Sequence, residues 1–218
     1  MIKTIYEDDY LLVVDKPSGL LTVPTPKNEK RTLTSILNEE AKKKRQNLRL
    51  YPCHRLDRDT SGLIIYAKSK KAQQAMMHIF RLRKVYKEYI AFVDGRLRKE
   101  TGIIKSYISD NPRERNKFAV TNYKLIRQFN AFAQVLVNTE TGRTNQIRIH
   151  FKEIGHPLLG ERRFAFRKDF KIQFKRLALH ASKIEFNHPL NNERIILYSS
   201  LPDDLRNLAE KGDTCLKN

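Results

Sequence analysis

From residue 85 to about 139 the chain breaks into four runs, 86–94, 102–108, 118–127 and 131–138, each rich in Tyr, Phe, Ile and Val. Polar breaks close them at Asp94-Gly95, Asp110-Asn111-Pro112 and Gln128-Phe129-Asn130. Runs of this length and composition, punctuated by turn residues, read as strands. Further strand signals fall at 10–15, 62–67, 183–187 and 193–199. Strands dominate and no strand–helix–strand alternation persists. The expected class is therefore α+β, with a mixed, largely antiparallel sheet flanked by helices.

Helical spacing is confined to a few segments. Residues 33–45 read as a helix ending in the basic cluster Lys42-Lys43-Lys44-Arg45. Ser69 is placed to cap a second helix, whose Ala72, Met76, Ile79 and Phe80 share one face and form core. Residues 145–154 predict a short helix stopped by Gly155, with Ile147, Phe151 and Ile154 toward the core and Arg148 near the edge of that face. A closing helix is expected over 203–211. No repeat, linker or domain boundary stands out, so a single domain over 1–218 is expected, with little room for an N-terminal RNA-binding module.

Charge narrows the partner. Lys and Arg number 43 against 24 Asp and Glu, a formal net charge of +19 with an isoelectric point near 10.0. A folded domain tolerates such self-repulsion most easily beside a polyanion, and nucleic acid gains further from counterion release. A hydrophobic fraction of 40% supports a real core. No apolar run is long enough to span a bilayer and no secretory signal opens the chain, so a soluble cytoplasmic protein is expected. The two cysteines, Cys53 and Cys215, make neither a disulfide framework nor a zinc knuckle. His150, His156, His180 and His188 lack acidic or thiol companions at ligand spacing, so no metal is expected.

The densest polar segment is His54-Arg55-Leu56-Asp57-Arg58-Asp59-Thr60-Ser61-Gly62-Leu63, in a loop just before the 62–67 strand. Arginines, aspartates and small hydroxyls in one tight segment suggest a held carboxylate. The same residues also suit a polar turn that merely bonds its own backbone.

HRLDRDTSGL is similar to the H-R-L-D-x-x-T-S-G-L motif of RluA-type pseudouridine synthases. Four further stretches resemble that family in order: LLVVDKPSGLLTVP (11–24), VYKEYIAFVDG (85–95), TGRTNQIRIHFKEIGHPLLGERRF (141–164) and RLALHASKIEFNHP (176–189). The resemblance covers roughly residues 8–200. It implies a catalytic domain with a central RNA-binding cleft, acting on uridine in a ribosomal or transfer RNA stem-loop as a monomer, without metal or organic cofactor. It implies Asp57 as nucleophile, attacking either the ribose C1′ or the uracil ring, with Asp59 at a variable position. Arg148 would pair with that carboxylate, keeping it ionised and directed. Tyr89 would stack on the target base. Arg55, Thr60, Arg143 and Ile147 would contact substrate, Arg55 by filling the space of a flipped base or holding a phosphate. Thr60, Ser61 and Gly62 would shape the turn, and His54 would be a structural hydrogen-bonder.

Three positions depart from the family pattern: Asn145 stands for a common His, Glu161 for Asp and Phe164 for Tyr. None is the nucleophile, so they bear on substrate choice more than on activity. Outside the motifs, residues 161–176 interleave seven cations with Phe164, Phe166, Phe170 and Phe174, a mixture suited either to RNA or to a docked loop. Two other classes remain distinguishable: an RNA-binding protein without chemistry, and a metal-dependent nuclease using Asp57 and Asp59.

Overall fold

A computed structural model of the chain describes residues 2–26, 29–109, 115–165 and 173–212. Among the described residues the strands form a mixed, mostly antiparallel sheet flanked by four helices, as the strand runs predict. The chain groups into two compact units, one of residues 1–86 with 181–199 and one of 87–180 with 200–218.

The first unit contains β1 (Lys3–Glu7), β2 (Leu11–Lys16), α1 (Leu33–Lys43), β3 (Tyr51–Pro52), β4 (Ser61–Ala67), α2 (Lys70–Arg81), most of β9 (Leu179–Asn187), and β10 (Arg194–Tyr198). Its strand order is β1-β2-β4-β9, with β10 on β9 and β3 on β4. All seven residues of β4 are buried, which explains a continuous apolar run rather than alternation. One face packs Leu63, Ile65 and Ala67 with Leu11, Val13, Ile184 and Phe186 under Ala72 and Met76 of α2. On the other face the Tyr66 hydroxyl meets Thr34 Oγ1 of α1 at 3.0 Å. Both helices begin as their sequences dictate, Thr32 and Ser35 forming a reciprocal capping box and Ser69 Oγ accepting the Ala72 N–H at 3.1 Å.

The second unit orders β5 (Tyr86–Asp94), β8 (Phe132–Thr139), β7 (Lys117–Gln128) and β6 (Thr101–Ile108) side by side, each pair antiparallel. Alternation along β5 sends Tyr89, Ala91 and Val93 to one face and Ile90 and Phe92 to the other. The first face lies under Ile147 and Phe151 of α3 (Gln146–Glu153). The second packs Phe92 and Phe132 with Leu205 and Leu208 of α4 (Asp203–Lys211). Ile154 is a correction to the sequence reading: it caps α3 and is 37% exposed rather than core, because the helix ends at Glu153 and Gly155 turns the chain away at φ +79°. No helix among the described residues is long and apolar enough to cross a membrane.

Candidate active site

The loop around Asp57 is fixed by side chains of the turn that follows β2. Lys16 ends that strand with no exposed surface. Its Nζ donates to the carbonyls of Pro17 at 2.9 Å, Leu20 at 2.7 Å and Arg58 at 2.9 Å. A buried ammonium is tolerable only when its protons are satisfied in this way. Thr22 Oγ1 donates to the Leu56 carbonyl and accepts the Leu56 N–H, at 3.0 and 3.2 Å. Ser18 Oγ reaches the Asp59 carbonyl at 2.7 Å. The backbone is thus held on both sides of Asp57, and the Thr60 N–H closes the turn on the Asp57 carbonyl at 3.2 Å. Gly62 is obligatory here: its φ is +111°, and a Cβ would lie 2.3 Å from the Ala181 carbonyl oxygen.

Within this loop Asp57 is half-buried, while Arg55, Arg58 and Asp59 are exposed. Arg58 pairs with Glu29 at 3.2 Å near the surface. His54 Nε2 accepts the Ile65 N–H at 3.0 Å, the structural part expected of it. Thr60 is buried, and its hydroxyl meets no partner among the described residues. Burial pushes the Cys53 thiol up to about 12, so it stays protonated at neutral pH.

In the second unit a buried glutamine organises the 141–146 turn. Gln146 Oε1 accepts from Thr141 Oγ1 at 2.6 Å and from the Arg143 N–H at 3.0 Å. Its Nε2 donates to the Val120 carbonyl and to Thr121 Oγ1, at 2.9 and 3.0 Å. The turn enters α3 through Asn145 in the left-handed region, at φ +54°. Arg148, one turn into the helix, donates from Nε and Nη2 to the two carboxylate oxygens of Glu161, both at 2.7 Å. Its Nη1 donates to Asn145 Oδ1 at 2.6 Å, and the Phe164 ring centre lies 5.1 Å from Cζ. Although burial opposes ionisation of Glu161, the Arg148 guanidinium and backbone N–H groups hold its carboxyl below the ordinary range.

Tyr89 is half-buried and packs against the apolar cluster that contains Ile147, itself only 6% exposed. Arg143 is exposed, its Nε donating to the Phe118 carbonyl at 3.2 Å. With Arg115, Lys117, Ser109 and Thr144 it lines a recess of about 140 Å³. Of the basic, aromatic stretch, residues 166–172 lie outside the described residues. The Arg176 guanidinium is paired at both ends with Asp204, at 2.6 and 2.8 Å, and Phe174 packs on the core, so this part is docked structure. Three residues were not singled out by sequence reading as partners of the site. Lys16 hides in a strand end, Glu161 in a motif departure, and Lys87 beside Gly142, where burial depresses its amine. The signal for Lys16 was the turn sequence Lys-Pro-Ser-Gly directly after an apolar strand.

The family described as RNA pseudouridylate synthase matches residues 10–153. The chain belongs to the RNA pseudouridylate synthase family. Ribosomal large subunit pseudouridine synthase D of Nitrosomonas europaea is 35% identical over 223 residues, covering 96% of this chain and 64% of the relative. An uncharacterised RNA pseudouridine synthase of Bacillus subtilis, YlyB, is 34% identical over 216 residues, covering 94% and 71%. The chain thus spans about two thirds of these relatives' lengths. In fold it is similar to human RNA pseudouridylate synthase domain containing 4, with a TM-score of 0.79 at 23% identity, covering 94% of this chain and 90% of that one. Human RNA pseudouridylate synthase domain containing 1 gives 0.77 at 23%, covering 93% and 84%.

Proposed function

We propose that this pseudouridylate synthase isomerises uridine in ribosomal RNA, with Asp57 as nucleophile. The ribosomal substrate follows the names of the curated relatives. The reaction breaks the N1–C1′ bond, turns the base, forms the C5–C1′ bond and moves one proton from C5 to N1. It is balanced within one nucleotide and calls for no redox partner. Asp57 adds and leaves again, Arg148 favours its ionised form, and Tyr89 offers a flat face to the base. Arg55 and Arg143 contact the RNA backbone, Thr60 shapes the loop, and Ile147 supports the wall behind Tyr89. The enzyme works in the cytoplasm as a monomer, without metal or organic cofactor.

The observation that carries this reading is the grip on the Asp57 loop. Side chains from residues 16–22 bond the backbone at Leu56, Arg58 and Asp59, which is preorganisation a mere surface turn does not need. The test is pseudouridine mapping of total RNA from cells lacking this protein, complemented with wild type or with Asp57→Asn. Ribosomal sites that return only with wild type support reaction and nucleophile together. Sites confined to transfer RNA would change the substrate. Restoration by Asp57→Asn would remove the nucleophile. Loss of activity in a chelator, with RNA cleavage instead of isomerisation, would favour a nuclease.

A further inference from the structure

Arg148 is restrained by three side chains, two at its N–H groups and one at its face. The clamp is itself buried and hydrogen-bonded. The Glu161 side chain has 0% exposure, and its Oε1 also accepts the N–H groups of Arg162 and Arg163 at 2.9 and 2.7 Å. A planar guanidinium held by a two-point carboxylate pair, with a third donor fixed on Asn145, has the direction of every N–H vector set.

Such an arrangement is a poor one for attracting phosphate. The Glu161 charge cancels the field of Arg148 at a distance, and burying the pair carries a desolvation cost that a solvated phosphate contact avoids. It is a good one for direction, because a reacting group held in place before the reaction lowers the barrier. The three residues concerned, Asn145, Glu161 and Phe164, are the three positions where this chain departs from the family pattern. They form one cluster around a single guanidinium.

We infer that Glu161 is a positioning residue for the isomerisation, setting the direction of the Arg148 guanidinium, with Asn145 and Phe164 limiting its rotation. The inference rests on the reading of Arg148 as the partner of the reacting carboxylate. The departures therefore act on the chemical step rather than on substrate choice.

The experiment measures kcat and KM for pseudouridine formation on total ribosomal RNA from cells lacking the protein. It compares wild type with Arg148→Ala, Glu161→Gln, Glu161→Asp and Asn145→Gly; the last keeps the left-handed backbone and removes only the side chain. Glu161→Gln is expected to lower kcat about 100-fold, the size of a misplacement near 1 Å, with KM within about three-fold. Glu161→Asp, which keeps the charge, recovers part of that loss, and Asn145→Gly lowers kcat about ten-fold as a partial loosening. Wild-type kcat in Glu161→Gln, or a loss confined to KM, overturns the positioning role. Should circular dichroism show Glu161→Gln unfolded, Glu161→Asp and Asn145→Gly decide, and wild-type kcat in both overturns it. An inactive wild type instead overturns the functional reading, and an active Arg148→Ala removes Arg148 from the reaction.

Discussion

The Asp57 loop and the Arg148 segment are held by opposite means. Around Asp57 the protein grips backbone: Lys16, Ser18 and Thr22 bond main-chain atoms of Leu56, Arg58 and Asp59. Around Arg148 it grips the side chain itself, through Glu161 and Asn145. The difference follows from side-chain length. An aspartate has two torsions, so fixing the backbone nearly fixes the carboxylate, whereas an arginine has four and stays mobile unless its head group is held.

That contrast predicts where damage spreads. Lys16→Met should be the most severe change, since three carbonyls lose a charged donor in a buried place. Stability should fall by about 3 kcal/mol, measured by urea unfolding, and pseudouridine formation about 100-fold. A stable, active Lys16→Met protein would show that the Asp57 loop holds its shape without the lysine.

The Arg148 side should instead show itself in acid. Folded Glu161 binds its proton less readily than the unfolded chain, whose ordinary value is 4.5. Its contribution to stability is therefore full above pH 4.5 and declines as the pH falls through the folded value. His150 acts in the same direction at higher pH: burial favours its neutral form, so stability also declines below 6.5. The stability difference between wild type and Glu161→Gln should shrink between pH 5 and pH 3, as followed by urea unfolding. A constant difference would mean that Glu161 acts by shape alone.

Arg143 separates RNA contact from either grip. Arg143→Ala should weaken RNA binding roughly ten-fold and reduce the salt dependence by about one unit of slope, leaving kcat unchanged. A fall in kcat would move Arg143 from the recess it shares with Arg115 and Lys117 into the chemistry. The smallest effect belongs to Arg58→Ala. Its pair with Glu29 leaves the arginine 53% exposed, and the stability change should stay within about 0.5 kcal/mol in thermal unfolding. A larger loss would show that the exposed rim of the Asp57 loop also holds its shape.

Much of the strand pattern could be read in advance because strands with one buried face alternate. The segment 86–94 coincides with β5, and 118–127 differs from β7 by one residue at each end. Two strands escaped. β1 is a five-residue edge strand with a bulge between Thr4 and Tyr6, too short and polar to alternate, and β3 is only Tyr51 and Pro52. β9 begins at Leu179 rather than at 183, and its first residues include the fully buried His180. Among the site residues, Asp57, Tyr89 and Arg148 stood out through motif resemblance and Glu161 only as a departure from it, whereas Lys16 did not. The turn sequence after β2 marks where Lys16 lies, but its burial depends on a carbonyl 42 residues away.

The sequence alone determined most of the strand and helix segments, the cationic balance and the family motifs, since periodicity, capping and turn chemistry act over a few residues. Tertiary structure decided which charges are buried, that Lys16 holds the Asp57 loop, and that three scattered departures meet at Arg148. Those outcomes depend on desolvation and on partners distant in the chain: Lys16 meets Arg58 42 residues on, and Arg148 meets Glu161 13 residues on. A short-range pattern carries no record of such separations.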